Sequence, residues 1–234
     1  MENVKPSEVK IWSRLGSCGA FGMAMTRLAQ RYENLAVITA DLCFYSGLER
    51  FKASNPDKFY NVGIAEQNMV GVAAGMASEG MNVFATTYAT FASMRACDQV
   101  KVNMGYMRLP VKLVGMTGGL TTGILGATHT SIEDLAIMRA IPNIVILSPS
   151  DALSVVGLTE AAAKYDGPVY IRLTGTMPSP IIYDKDTEFE IGKAKVLADG
   201  DDVSIVATGA TVATAVNVAN ALKYEGVECR VPYN

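Results

Sequence analysis

The architecture of the chain is set by residues 83–116, which read VFATTYATFASMRACDQVKVNMGYMRLPVKLVGM. An apolar run from Val83 to Thr86 opens this stretch, and a second run from Val111 to Met116 closes it. The residues between them follow a helical spacing, which predicts a helix from Tyr88 to about Gly105. Apolar runs joined by a helix are typical of parallel strands that are buried on both faces of a sheet.

The same alternation of helix and strand continues on both sides of this stretch. The pattern predicts further elements in this order: a helix around Phe21 to Leu28, a strand at Leu35 to Ile38, a strand at Phe59 to Val62, a helix from Ala65 to Glu79, a helix from Ile132 to Ile141, a strand at Ile144 to Leu147, a helix from Asp151 to Tyr165 and a strand at Val169 to Leu173. Together they predict the α/β class, with a doubly wound parallel sheet and helices on both of its faces.

The sequence divides into one large domain and part of another. Residues 1–175 form the predicted domain, and residues 176–192, which contain Pro178 and Pro180, form a linker. Residues 193–234 hold a strand–helix–strand unit that is too small to bury a core by itself. We therefore expect a second α/β domain that is truncated here, and the alternative is a unit that packs on the first domain.

Composition limits the classes of function. The net charge of −3 argues against nucleic-acid binding, which usually needs a basic face. No apolar run reaches the length of about 18 residues that a membrane span requires, and the amino terminus does not resemble a secretory signal. Four scattered cysteines and a single histidine exclude the usual zinc patterns and fit a reducing cytoplasm. Nucleotide motifs of the Gly-x-Gly-x-x-Gly and phosphate-loop types are missing.

Glu66 is the first candidate site residue. It lies in the stretch Gly63-Ile64-Ala65-Glu66-Gln67-Asn68-Met69, in the first turn of a predicted helix and on its apolar face. A carboxylate in such a place is costly unless a partner compensates it, which indicates a functional group. The alternative is a glutamate that only complements the helix dipole.

Two further patterns indicate a ligand site. Tyr88, Phe91 and Arg95 share one predicted helical face, either as core packing with a snorkelling arginine or as an aromatic wall for a flat heterocycle. A glycine-rich loop that ends at His129 follows a predicted parallel strand, and Asp41 follows another. Such positions hold ligands in parallel sheets, and the alternative for both is an ordinary surface connection.

These segments, in this order and spacing, resemble the transketolases, and most closely the type whose catalytic chain is divided into two subunits. The resemblance covers nearly all of the sequence and is strongest at Asn61 to Gly80, Thr87 to Val100 and His129 to Ala152. The chain is more distantly similar to 1-deoxyxylulose-5-phosphate synthase and to the beta subunits of 2-oxo-acid dehydrogenases.

The resemblance implies thiamine diphosphate as the cofactor and a role for each candidate. Glu66 would hydrogen-bond N1′ of the aminopyrimidine from an apolar pocket, and Tyr88 and Phe91 would line that pocket. Asp41 would lie near the thiazolium, and His129 would face the reacting carbon, so Glu66 and His129 are the expected catalytic residues.

The resemblance also implies a partner chain. Transketolases bind Mg²⁺ (or Ca²⁺) and the diphosphate through a Gly-Asp-Gly pattern, which this sequence lacks. An amino-terminal subunit would supply that site, and the expected assembly is a heterotetramer with two copies of each chain. The active site would then lie between the two kinds of chain.

The expected reaction is the transfer of a two-carbon ketol unit from a ketose or ketose phosphate to an aldose. Arg95, Thr117, Leu125 and His129 are the candidate substrate-binding residues. Thr117 and the Ile124-Leu125 pair replace a histidine and an acidic pair of ordinary transketolases, which makes the pocket more apolar. The alternatives are a carboligase that uses a 2-oxo acid such as pyruvate, and a non-catalytic assembly subunit.

Overall fold

The computed structural model describes residues 4–175, 177–183 and 187–233. The helices are α1 (Pro6–Ala29), α2 (Glu49–Ser54), α3 (Glu66–Ser78), α4 (Cys97–Gln99), α5 (Asp134–Ala140), α6 (Ala152–Lys164) and α7 (Thr211–Lys223). The strands are β1 (Leu35–Thr39), β2 (Phe59–Asn61), β3 (Asn82–Tyr88), β4 (Lys112–Met116), β5 (Val145–Leu147), β6 (Val169–Arg172), β7 (Lys195–Ala198), β8 (Val203–Ser204) and β9 (Cys229–Tyr233). Short 3₁₀ turns occupy Pro56–Lys58 and Gly123–Leu125.

The first six strands form one parallel sheet in the order β2-β1-β3-β4-β6-β5. The predicted doubly wound parallel sheet is therefore confirmed. Because all six strands run in the same direction, their carboxyl ends meet at one edge. This edge, which we call the carboxyl edge, receives the loops that follow β1, β2, β3 and β4.

Helices cover both faces of the sheet. On one face, α1 and α6 pack through buried residues such as Phe21 and Leu153, and on the other α3 contributes Met69. Strand β4 serves both layers, since Val114 joins the first cluster and Leu113 joins the second. This alternation follows from the two-residue period of a strand. Among the described residues, the structure has no helix of the length and apolar character needed to cross a membrane.

The segment after β3 differs from the predicted single α-helix. Tyr88 is the last residue of β3 and pairs with Met116 of β4, so the helix begins later than Tyr88. Two π-helical turns, Phe91–Arg95 and Val100–Tyr106, then flank the short helix α4. The β-branched residues before Tyr88 favour an extended backbone, and the buried sheet extends to the end of that run. The prediction of a helix that starts at Tyr88 was wrong for this reason.

The last part of the chain forms a small sheet in the order β7-β9-β8, in which β9 is antiparallel to β7 and parallel to β8. This unit packs on the first domain. The Tyr233 hydroxyl donates to the Ser148 carbonyl at 3.1 Å, and the Gly209 amide donates to the same oxygen at 3.1 Å. These contacts join the unit to the first domain, and the predicted division of the chain into domains stays a prediction. Within the predicted linker, residues 176 and 184–186 lie outside the described residues.

Candidate functional site

Four of the predicted site residues come from successive strands and meet at the carboxyl edge. Asp41 follows β1, Glu66 follows β2 and begins α3, Tyr88 ends β3, and Thr117 follows β4. Strands β2, β1, β3 and β4 are neighbours in that order, so residues far apart in sequence become adjacent. This is the edge at which parallel α/β sheets bind ligands.

Glu66 is buried and paired. The residue is only 2% exposed, and Nη1 of Arg95 lies 2.9 Å from each of its carboxylate oxygens. The Arg95 side chain itself is 47% exposed. The apolar pocket expected around Glu66 is thus closed on one side by a guanidinium group. A buried carboxylate needs such a partner, because leaving it unpaired is strongly unfavourable.

Three rings form a cluster beside this pair. The Tyr88 and Phe91 rings lie 5.8 Å apart at 87°, and the His129 ring lies 5.2 Å from each of them. Such edge-to-face contacts are favourable between aromatic rings. Burial, followed by the influence of Tyr45, raises the pKa of Tyr88 above its ordinary value of 10, which keeps its phenol neutral at pH 7. Nδ1 of His129 lies 2.9 Å from the Thr128 hydroxyl oxygen.

Arg95 joins the ion pair to the ring cluster. Its guanidinium carbon lies 3.9 Å from the centre of the Phe91 ring, within cation–π range. Arg95 therefore lies between Glu66 and Phe91 and contacts both of them. A shallow cavity of about 410 Å³ opens at this point, and Ile64 and the first residues of α3 complete its lining.

Asp41 is held by Asn61, a residue that the sequence patterns did not single out. The Asn61 side-chain amide donates to Oδ1 of Asp41 at 2.8 Å, and its oxygen accepts from the Asp41 and Gly63 backbone amides at 3.0 Å each. Asp41 has a φ of 59°, in the left-handed region that Asn and Asp tolerate best. An asparagine at a strand end two residues before a glycine was the available signal.

The loop after β4 carries the remaining candidates. Thr117 has a φ of 54°, and its hydroxyl donates to the Met116 carbonyl at 2.8 Å. Leu125 is exposed in the 3₁₀ turn, and the neighbouring Ile124 is fully exposed. The loop brings His129 to the ring cluster, whereas the role of Thr117 and Leu125 in substrate binding stays a prediction.

A buried network supports the base of this loop. Nε of Arg172 donates to Oδ2 of Asp134 at 2.7 Å, and the Tyr170 hydroxyl donates to the same oxygen at 2.9 Å. Asp134 is fully buried, so the arginine compensates its charge. Gly118 lies against the Arg172 side chain, and an added Cβ would come within 2.6 Å of Nε, so a larger residue would require Arg172 to move. Sequence patterns gave no sign of this network, because its members come from α5 and β6.

A metal site in a protein needs several ligating side chains close together. Across residues 4–175, 177–183 and 187–233, no group of three or more His, Cys, Asp or Glu side chains is arranged to hold a metal ion. The candidate site therefore consists of a buried carboxylate, an aromatic cluster and an exposed aspartate at the carboxyl edge. Together with the fold, these features define a domain of the doubly wound α/β class with a candidate ligand site at its carboxyl edge.

Comparison with known proteins narrows this class to one family. The profile described as "Transketolase, pyrimidine binding domain" matches residues 17–177, and the profile described as "Transketolase, C-terminal domain" matches residues 192–232. The first match alone covers more than half of the chain. The chain belongs to the transketolase family, as its sequence resemblance predicted.

Several relatives are named as subunits of transketolases. The chain is 38% identical over 230 residues to a 6-deoxy-6-sulfo-D-fructose transketolase subunit of Clostridium sp., and the match covers 97% of this chain and 70% of that protein. It is 37% identical over 213 residues to one subunit of the apulose-4-phosphate transketolase of Phocaeicola vulgatus, where the match covers 91% of this chain and 68% of that protein. The chain thus spans about two thirds of the length of such relatives.

A solved structure supports the same assignment. A protein described as "Split gene transketolase, inactive beta4 tetramer" superimposes with a TM-score of 0.85 and is 38% identical. The superposition covers 94% of this chain and 71% of the other. The chain is therefore similar in sequence and in fold to the product of a divided transketolase gene.

Proposed function

We propose that the chain is the pyrimidine-binding subunit of a two-chain, thiamine diphosphate-dependent enzyme of the transketolase type. The enzyme transfers a two-carbon ketol unit from a ketose or ketose phosphate to an aldose acceptor. The observation that carries the proposal is the buried Glu66 carboxylate beside the Tyr88, Phe91 and His129 rings at the carboxyl edge. Membership of the transketolase family supports it.

The residues present fit an aminopyrimidine ring. An aminopyrimidine is a flat heterocycle with nitrogen atoms at its edge, so its binding needs an aromatic face and a carboxylate close together. Phe91 and Glu66 provide these two groups, and they lie near each other because both contact Arg95. In the proposal, Glu66 holds a proton at N1′, and Tyr88 and Phe91 line the ring. Asp41, which Asn61 orients, would lie toward the thiazolium in the same proposal.

Each residue around the proposed cofactor site has a separate role in the proposed reaction. When bound, thiamine diphosphate supplies the electron sink that stabilises a carbanion during carbon–carbon bond cleavage. Glu66 holds or releases a proton at a carboxylate oxygen, and its burial keeps water away from that atom. His129, turned toward Tyr88 and Phe91, positions a donor hydroxyl or moves a proton at the substrate. Arg95, Thr117 and Leu125 remain the proposed substrate-binding residues.

The proposal assigns the diphosphate and Mg²⁺ (or Ca²⁺) to an amino-terminal partner subunit, in a cytoplasmic heterotetramer with two copies of each chain. Relatives that are named as transketolase subunits support a partner. In the same proposal, residues 1–175 are the pyrimidine-binding domain, residues 176–192 the linker and residues 193–234 the beginning of a carboxyl-terminal domain.

A second candidate function is a thiamine-dependent carboligase that uses a 2-oxo acid such as pyruvate. The exposed, apolar Ile124 and Leu125 of the loop favour it, since they offer no hydrogen bond to sugar hydroxyls. Turnover of xylulose 5-phosphate against turnover of pyruvate by the assembled enzyme distinguishes the two functions. Activity with pyruvate alone would replace the ketol-transfer proposal.

The test of the assignment is Glu66→Gln in the chain reconstituted with its partner, thiamine diphosphate and Mg²⁺. We expect turnover to fall by about 100-fold to 10,000-fold, because the glutamine amide cannot relay the proton. Glu79→Gln, at the exposed carboxyl end of the same helix, is the matched control and should leave turnover unchanged. A loss of no more than about two-fold for Glu66→Gln would show that the assignment is wrong.

A further inference from the structure

Arg95 contacts the two groups that bind the cofactor ring in the proposed function, the Glu66 carboxylate and the Phe91 ring. Its Nη1 lies 2.9 Å from both oxygens of the buried Glu66 carboxylate, and its guanidinium carbon lies 3.9 Å from the centre of the Phe91 ring. Phe91 and Arg95 are four residues apart in one π-helical turn, so the stack is built into the local backbone. One side chain thus contacts both carboxylate oxygens and covers one face of an aromatic ring.

A guanidinium group and an aminopyrimidine present similar chemistry. Both are flat, both carry nitrogen atoms at the edge that can share protons with a carboxylate, and both stack on aromatic rings. The two groups cannot contact the same carboxylate oxygens and the same ring face at once. We propose that Arg95 is an internal stand-in for the ligand, which keeps the Glu66 pocket closed until an aminopyrimidine displaces it. This inference rests on the proposed function.

Burial indicates which partner moves. Glu66 is 2% exposed and lies in the first turn of α3, so its position is set by the helix. The Arg95 side chain is 47% exposed, and a change of rotamer would carry its guanidinium into water. The displaced arginine is then hydrated, while the carboxylate passes from one flat partner to another. Glu66 has a partner both before and after the exchange, so neither end state leaves a buried carboxylate unpaired, which is the costly state.

Removal of the stand-in should therefore strengthen ligand binding. We expect Arg95→Met to bind thiamine about 10-fold more tightly than the unmodified chain, because an ion pair and a cation–π contact no longer compete with the ligand. Methionine retains a flexible apolar stem over Phe91 and removes the charge. Glu66→Gln should weaken thiamine binding both alone and in combination with Arg95→Met, since it removes the carboxylate that the ligand uses.

The experiment is a titration of the full chain with thiamine, which lacks the diphosphate, followed by ligand-observed NMR. Arg50→Met, at an exposed arginine of α2, is the matched control and should bind as the unmodified chain does. Unchanged or weaker binding by Arg95→Met, with a loss on Glu66→Gln, would overturn the stand-in and leave the proposed function intact. If Glu66→Gln leaves thiamine binding unchanged, both the stand-in and the proposed role of Glu66 are wrong. If no variant binds thiamine, the stand-in is overturned, whereas the proposed two-chain site is compatible with that result.

Discussion

Glu66 carries its charge in a place where an isolated carboxylate would be unstable. The two interpretations open at the level of sequence were a first-turn acid that complements the helix dipole and a functional group on the apolar face. The residue begins α3, so the dipole does favour it, but it is also almost completely buried. An exposed first-turn acid would not need the Arg95 partner, and this difference supports the functional interpretation.

Asn61 orients Asp41 through both ends of its side-chain amide. We expect Asn61→Asp to lower the free energy of unfolding by about 1 kcal/mol, because the donor to Asp41 is replaced by a second negative charge. Urea denaturation monitored by circular dichroism measures this change. Asn217→Asp, on the exposed side of α7, is the control. Equal stabilities for the two variants would contradict the orienting role.

Strand β4 contains a lysine in a position where its neighbours are apolar. Lys112 is 2% exposed, and its ammonium group donates to the carbonyls of Pro110, Tyr165 and Gly167 at 2.8–2.9 Å. These bonds tie the start of β4 to the connection between α6 and β6. The side chain thus satisfies three backbone acceptors at the edge of the sheet opposite the candidate site.

Replacing this lysine should destabilise the sheet. We expect Lys112→Met to lower the free energy of unfolding at pH 7 by about 2 kcal/mol, because three carbonyl groups lose their donor. Equilibrium denaturation in urea measures the loss. Lys101→Met, at an exposed lysine, is the control and should change little. A loss no larger than that of the control would show that the carbonyl contacts contribute nothing.

The same lysine predicts a dependence of stability on pH. Burial lowers the pKa of Lys112 from 10.5 to about 8, so the folded chain releases this proton at a lower pH than the unfolded chain. Between these two values the unfolded state binds more protons, and the contribution of Lys112 to stability rises with pH. The difference in stability between the unmodified chain and Lys112→Met should therefore grow from about pH 8 to 10.5 and stay constant below. A constant difference over the whole range would contradict the lowered pKa.

Exposed apolar side chains lie in the segments that follow the strands at the carboxyl edge, around the candidate site. We call this group the carboxyl-edge surface, and its members are Phe44, Tyr45, Ile64, Met94, Leu120 and Ile124. The Tyr45 ring lies 6.2 Å from Tyr88, so this part of the surface adjoins the ring cluster. A cluster of exposed apolar side chains is typical of an interface with another chain. The proposed partner would cover this surface.

One substitution tests this placement of the partner. We expect Ile124→Asp to weaken association with the partner subunit by about 10-fold or more, because it puts a charge into an apolar contact and leaves the fold intact. Tyr224→Asp, at a residue that is 94% exposed just after α7, should not affect association. Analytical ultracentrifugation of the mixed subunits measures both. Full association of Ile124→Asp would place the interface elsewhere.

The alternation of apolar runs and helical spacings was sufficient to predict the parallel sheet, because burial on both faces imposes that pattern on each strand. The order of motifs was likewise sufficient to predict the family. The sequence also brought Glu66, Tyr88, Phe91 and His129 forward as candidates, since each stands at or just after a strand end, in a first helical turn or in a loop beyond a strand.

The contacts among these residues were decided by the tertiary structure alone. The strand order β2-β1-β3-β4 sets Asn61 beside Asp41 and brings Arg95 onto Glu66, although the members of each pair are 20 or more positions apart. A periodic pattern reports which face of an element is buried, and it carries no information on which element lies against that face. For the same reason, only the folded chain shows that the unit containing Tyr233 packs on Ser148 of the first domain.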